Sequence, residues 1–372
     1  MGHSAKGTSF ARRGSFPRLV LVAAAFLLTA GRATAQSSSS LPSVPPPASN
    51  NSETVSRGTD LSKSPDQNLA KAESLMDKGQ LNDAEIIVRQ DLKTAPDSAA
   101  AHFLLGYILY REIQAQAKQI NPNPNAVYAP PPKSLIELRE KNAKESLAEF
   151  TAGARYRTPS GFDLKIVAID YILLGDFMDA DKWLTRSLQL NPTDSDGWYQ
   201  LGRTKYNENR FTEAIEAFKK CLALDATNVK AEENMGLSYA GLGDDLNAAK
   251  AYQTAIDWQT TSVTKDAETY LAFGTLKLDQ NHPKDAIPLL IQATEIAPSA
   301  FQGHELLGKA YLQNQELLKA QTELEEAVKL SPGTTRLHYI LGQIYRKEGL
   351  MAKANAEFDR CATLEGAHPS EP

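Results

Sequence analysis

The chain repeats itself every 34 residues, and little else narrows so sharply what it can fold into. Small residues stand at Ala72, Gly106, Ala168, Gly202, Gly236, Gly274, Gly308 and Gly342, with gaps of 34, 62, 34, 34, 38, 34 and 34. A second series, Ala84, Ser146, Ala180, Ala214, Ala248, Ala286, Ala320 and Ala354, follows twelve residues behind in every unit but the second. A period of 34 with two helices per unit predicts a solenoid, in which each unit buries its apolar face only against its neighbours.

Close packing explains the pattern. Antiparallel helices are expected to touch where small residues meet, with larger apolar residues filling the hollows beside them. Those residues are Leu201, Leu307 and Leu341 on first helices, and Phe218, Tyr252, Leu324 and Phe358 on second helices. Pro96, Pro192, Pro298 and Pro332 end second helices, because proline lacks a donor and clashes with the preceding turn.

The same register absorbs the residues that could suggest chemistry. Cys221 and Cys361 fall where other units have Ala255, Ala293 and Ala327, so they read as small core residues. Four units apart, they cannot pair within one solenoid. His102, His304 and His338 share one first-helix position and cannot converge on a metal.

"WYQLGRTKYNENRFTEAIEAFKKCLALDATN" and "HYILGQIYRKEGLMAKANAEFDRCATLEG" resemble the tetratricopeptide repeat. The family pattern of tryptophan, Leu-Gly, tyrosine, Ala-x3-Phe and proline is matched by Trp198, Leu201-Gly202, Ala214 and Phe218. It is matched again by Leu341-Gly342, Tyr345, Ala354 and Phe358; Lys205, Ala226 and Lys71 depart from it. The resemblance implies an all-α, right-handed superhelical solenoid of about eight helix-turn-helix units covering residues 65–368. Their bounds fall near 65–98, 99–158, 161–194, 195–228, 229–262, 267–300, 301–334 and 335–368, leaving a tail at 369–372.

Ahead of the repeats, basic residues precede an apolar run from about Leu19 to Ala30 and then Ala33-Thr34-Ala35. Residues 1–35 read as a secretory signal peptide of bacterial type, cut before Gln36, with an apolar run too short to span a bilayer. The mature chain would then have no transmembrane segment and would be periplasmic or secreted. Removing residues 1–35 leaves 35 basic against 45 acidic side chains, a balance that repels phosphate backbones and argues against nucleic acid. Residues 36–64, rich in serine and proline, read as a disordered leader.

The second unit is longer by 28 residues, all between Gly106 and Ser146. Ile113, Ala117 and Ile120 continue its first helix, and Leu135 and Leu138 its second. "NPNPNAVYAPPPK" would be a stiff tip, so 113–140 reads as a helical hairpin standing out from one edge, with Val127 and Tyr128 as a possible docking tip.

First helices line the concave side of such arrays. The resemblance therefore implies a partner-binding groove including Phe103, Tyr107, Tyr110, Lys165, Ile169, Tyr199, Arg203 and Tyr206. Ile172, Leu237, Leu271, Leu278, Lys309 and Tyr339 continue it. Aromatics and arginine carry much of the energy at protein interfaces. The function expected is a non-enzymatic scaffold or adaptor for an unidentified protein or peptide, without cofactor or metal. The alternatives are an accessory subunit of an envelope enzyme or secretion complex, and self-association through the uncapped last repeat. No phosphate-cradling glycine loop, metal-spaced cluster or Ser/His/Asp arrangement points to catalysis. The basic-and-asparagine clamp of chaperone-binding relatives has no matching set around Lys230 and Asn234.

Overall fold

The computed structural model describes residues 67–120, 132–260 and 265–366. The leader segments 1–35 and 36–64, the tip residues Val127 and Tyr128, and the tail 369–372 lie outside the described residues.

Among the described residues there are sixteen α-helices and no strand. They are α1 Gln67–Asp77, α2 Leu81–Thr94, α3 Ala99–Ile120, α4 Lys133–Gly153, α5 Gly161–Leu173, α6 Phe177–Leu190, α7 Ser195–Asn207 and α8 Phe211–Leu224. The series continues with α9 Val229–Leu242, α10 Asp245–Thr260, α11 Ala267–Asp279, α12 Pro283–Ile296, α13 Phe301–Gln313, α14 Leu317–Leu330, α15 Thr335–Lys347 and α16 Met351–Gly366. Odd- and even-numbered neighbours pack as eight pairs, and each second helix packs on the first helix of the next pair.

The periodic small residues work differently from the expectation of small against small. A Cβ added to Gly202 would stand 2.5 Å from Phe218 Cε1, so the phenyl edge of the second helix lies directly on the glycine backbone. Gly106 and Phe150, Gly236 and Tyr252, Gly274 and Leu290, and Gly342 and Phe358 repeat the arrangement. The alternation of small and large across these pairs lets the large side chain lie directly on the facing backbone.

A side-chain hydrogen bond ties several pairs to the preceding one. Trp198 Nε1 donates to the Pro192 carbonyl at 2.9 Å. In three other pairs a histidine takes this place: the Nε2 atoms of His102, His304 and His338 lie 2.9, 3.0 and 2.8 Å from the carbonyls of Pro96, Pro298 and Pro332. Each histidine also meets a glutamate of its own second helix, Glu149, Glu323 or Glu357. Lys205, the departure from the family tyrosine, is buried and paired with Asp181 at 2.6 Å and Glu213 at 3.3 Å. Cys221 is buried, Cys361 half-buried, and both thiols are free.

Helices α3 and α4, at 22 and 21 residues, are the two longest. Ile113 and Ala143 pack with Leu173 where they emerge from the array. Arg89 of α2 bridges Glu85 and Glu145, each at 2.6 Å, and Asn142 donates to Glu112 at 2.9 Å. The seam farther out differs from the expectation: Leu138 points outward at 42% exposure, while the Nε of Arg139 is enclosed between the helices.

First helices touch the first helices on either side, as α3 does α1 and α5, and α9 does α7 and α11. The recurring contacts of a second helix with the next pair run to its first helix. The odd-numbered helices thus crowd together, which makes theirs the inner face of the array.

Candidate partner-binding face

The inner face begins with a tight knot between α3 and α5. Ser160 caps α5 in a capping box with Asp163: the Asp163 amide donates to Ser160 Oγ at 3.2 Å, and Asp163 Oδ2 accepts from the Ser160 amide at 2.6 Å. The fully buried Asp163 also accepts from the Tyr107 hydroxyl and from Arg157 Nη2 at 3.1 Å. Burial and the Asp163 carboxylate together hold the Tyr107 phenol well above its ordinary pKa, so it stays protonated and donating.

Around this knot the eight groove candidates separate into two groups. Phe103 is 1% exposed, roofed by Arg157 with its guanidinium 3.8 Å from the ring centre. Tyr206 is 8% exposed and packed on Phe211. Both lie largely beneath the face. Tyr107, Tyr110, Lys165, Ile169, Tyr199 and Arg203 are half-buried, and so reach the surface. Tyr107 lies against Phe150 and Phe162, with ring centres 5.5 and 5.7 Å away. Tyr110 accepts from Gln114 at 2.6 Å.

Lys165 does not stand free in the groove as a cation. Its ammonium bridges Asp194 at 2.8 Å and Asp196 at 3.2 Å of the next pair. Arg203 lies 5.8 Å from the Tyr199 ring centre and has no ion-pair partner among the described residues. Of the residues extending the groove, Leu237, Leu271 and Leu278 are buried, while Ile172 and Lys309 are half-buried. Tyr339 is 51% exposed.

Sequence reasoning missed Phe162 and Tyr156, exposed by 55% and 56% beside this knot. Phe162 was findable, because it stands three residues before Lys165 on the same face of α5. Tyr156 was not: it sits in the segment after α4, which stops three to five places earlier in the register than the other second helices.

The charge of the inner face changes along its length. Between α9 and α11, Lys230 pairs with Glu233 at 3.5 Å and with Asp266. Thr269 donates to Glu233 at 2.7 Å. Burial, reinforced by Asp266, pushes the Glu268 carboxyl up to about 7. This middle stretch gathers three carboxyl groups around one lysine. Between α13 and α15 the sign reverses: one carboxylate, Glu305, is paired with both Lys309 and Arg336, and Arg346 lies farther along α15. Among the described residues no group of histidine, cysteine and carboxylate side chains could hold a metal, and no helix is long and apolar enough to cross a membrane.

Comparisons with known proteins agree with this architecture. Two family models described as tetratricopeptide repeat match, one over residues 195–228 and one over 69–116, 271–320 and 306–372. The anaphase-promoting complex subunit cut9 of Schizosaccharomyces pombe is 24% identical over 173 residues, 46% of this chain and 26% of that protein. The peroxisomal targeting signal receptor of Kluyveromyces lactis is 37% identical over 70 residues, 19% of this chain and 12% of the receptor. The chain thus spans about a quarter or less of the length of these relatives. In structure it is similar to a tetratricopeptide repeat protein from Parabacteroides merdae, with a TM-score of 0.52 and 16% identity over 75% of this chain and 97% of that one.

Proposed function

As the chain is a tetratricopeptide repeat protein, we propose that it is a non-enzymatic scaffold or adaptor, exported from the cytoplasm through residues 1–35, that holds a protein segment on the inner face of units 2 to 4. The observation that carries this reading is the line of partly exposed Tyr107, Tyr110 and Tyr199 ending at Arg203, whose guanidinium has no ion-pair partner among the described residues. Tyrosine and arginine bury large areas at small entropic cost, and they suit an apolar segment carrying an acidic group. The reading as an accessory subunit uses the same face with a partner from an envelope complex.

Self-association through the last repeat has weaker support. The position of Asn355 on α16 is taken by Ile215, Ala249 and Ile287 in three inner second helices and by Glu85, Asp181 and Gln321 in three others, so it does not mark α16 as a face for a second copy.

The test is capture of partners from an envelope extract with the mature chain, a Tyr199→Ala/Arg203→Ala variant and a variant lacking 113–140. Loss with the first variant alone supports the groove. Unchanged capture by that variant overturns it, and loss with the deletion alone transfers the role to the hairpin. N-terminal sequencing of the exported protein is expected to begin at Gln36; retention of residues 1–35 refutes the export reading.

A further inference from the structure

We infer that the inner face of units 7 and 8 is a second contact surface, built to receive an acidic segment of the partner. This rests on the scaffold reading above but on different residues. Arg336, Tyr339, Gln343 and Arg346 recur at intervals of three, four and three on α15, which places them on one stripe of the helix. The opposite stripe is buried, with Leu337, Leu341, Ile344 and Tyr345 all inside the array. The exposed stripe is left open to solvent, with Arg336 held by Glu305 and Tyr339 by Phe358.

Glu305 of α13 does much of that holding. It is 2% exposed, and it accepts from Lys309 at 2.6 Å and from Arg336 Nε and Nη2 at 3.0 and 2.6 Å. One buried carboxylate thus orients two cations and neutralises only one. Arg346 adds a third, its guanidinium 5.8 Å from the Phe358 ring centre, and it has no ion-pair partner among the described residues. Tyr339 packs on the same ring with centres 6.0 Å apart and remains 51% exposed. The result is a pre-oriented array with surplus positive charge around an exposed aromatic, on a chain of net charge −5.

Charge complementarity identifies the occupant. Oriented guanidinium groups around an aromatic match carboxylates on a peptide. The middle of the same face surrounds Lys230 with Glu233, Asp266 and Glu268 and so offers an acidic segment no surplus cation, whereas units 7 and 8 do. A partner that spans the whole inner face would carry its acidic portion opposite α13 and α15.

The test uses the mature chain and a rhodamine-labelled oligoglutamate peptide, with oligoglutamine, oligolysine and single-stranded oligonucleotide controls, in fluorescence anisotropy. Oligoglutamate is expected to bind best, more weakly as salt rises. Arg336→Gln/Arg346→Gln is expected to weaken it by about tenfold or more. Tyr339→Ala, at an exposed site, should weaken it without lowering the melting temperature. Tyr199→Ala/Arg203→Ala should leave it unchanged, which separates this surface from the one in units 2 to 4. Equal binding of oligoglutamine, tighter binding of the oligonucleotide, or insensitivity to Arg336→Gln/Arg346→Gln would each overturn the inference while leaving the earlier reading standing.

Discussion

His304 and Glu323 face each other across one helix pair, with imidazole Nδ1 2.8 Å from a carboxylate oxygen. The other ring nitrogen lies 3.0 Å from the Pro298 carbonyl oxygen. Both neighbours are acceptors, so satisfying both requires a ring that carries two protons. The bond to Glu323 is the main reason that the pKa of His304 rises above its ordinary value, with burial acting the other way. A raised folded pKa gives stability that is fully present below about pH 6.5 and is lost as pH rises through the folded value. Glu323→Gln is therefore expected to lower the His304 titration midpoint in an NMR titration. It should also reduce the fall in melting temperature seen above that pH. An unchanged midpoint would show that Glu323 does not hold the proton.

Asp170 is the opposite case. It is 1% exposed in the joint between α4 and α5, and the side chain beside its carboxylate is Ser146, whose hydroxyl donates to the Gly106 carbonyl at 3.3 Å. Burial holds its pKa well above the usual carboxylate range, so the side chain folds neutral. The cost begins as pH rises above the unfolded value near 4, where the unfolded chain ionises and the folded chain does not. Other units place Thr204 and Ser238 at this position, and each hydroxyl donates to the carbonyl four residues back. Asp170→Ser is expected to stabilise the protein by about 1–3 kcal/mol at neutral pH in chemical denaturation. The gain should shrink below pH 4; a loss of stability at neutral pH would contradict this account.

The array was legible because its period is itself a packing rule: Gly202 must be small where Phe218 lies on it, and every pair restates the demand. Accessibility within the groove was less legible, since it depends on residues outside the repeat register. Phe103 is covered by Arg157 from the segment after α4, and Tyr206 by Phe211 across a turn. Lys165 is engaged by Asp194 and Asp196 of the following pair, a contact that no spacing within one unit reveals. The outward direction of Leu138 had a local cause, because the inserted helices continue past the point where neighbouring pairs enforce the apolar stripe.

The turns of seven pairs each place one residue in the left-handed region. Gly79, Gly175, Gly243 and Gly349 supply it in four units, whereas Asn209, Asn281 and Gln315 supply it in three. Asparagine tolerates this conformation through its short side chain, but glutamine at φ 64 gains no such relief. Gln315→Gly is expected to stabilise the protein by about 0.5–1 kcal/mol, because the relief of strain exceeds the added freedom of the unfolded chain. Asn209→Gly should give less. Equal effects at both sites in thermal denaturation would mean that side-chain strain is not the cause.

The last prediction concerns how units compensate internally. Where the first helix carries a histidine, the second carries a glutamate facing it, as in His102 with Glu149 and His338 with Glu357. Where it carries Trp198, the corresponding residue is Ala217, leaving room for the indole against the core. Trp198→His alone would leave a gap and a ring nitrogen without its acid, at a cost of about 2–3 kcal/mol. Ala217→Glu alone would crowd the indole and half-bury a carboxylate, costing about 1–3 kcal/mol. Together they rebuild the pairing of the seventh and eighth units, so the double variant is expected to recover about 1–2 kcal/mol of the summed loss. Denaturant titration of the four proteins measures this coupling directly. Strict additivity would show that the two positions do not compensate each other and that the repeated His–Glu pairing is incidental to stability.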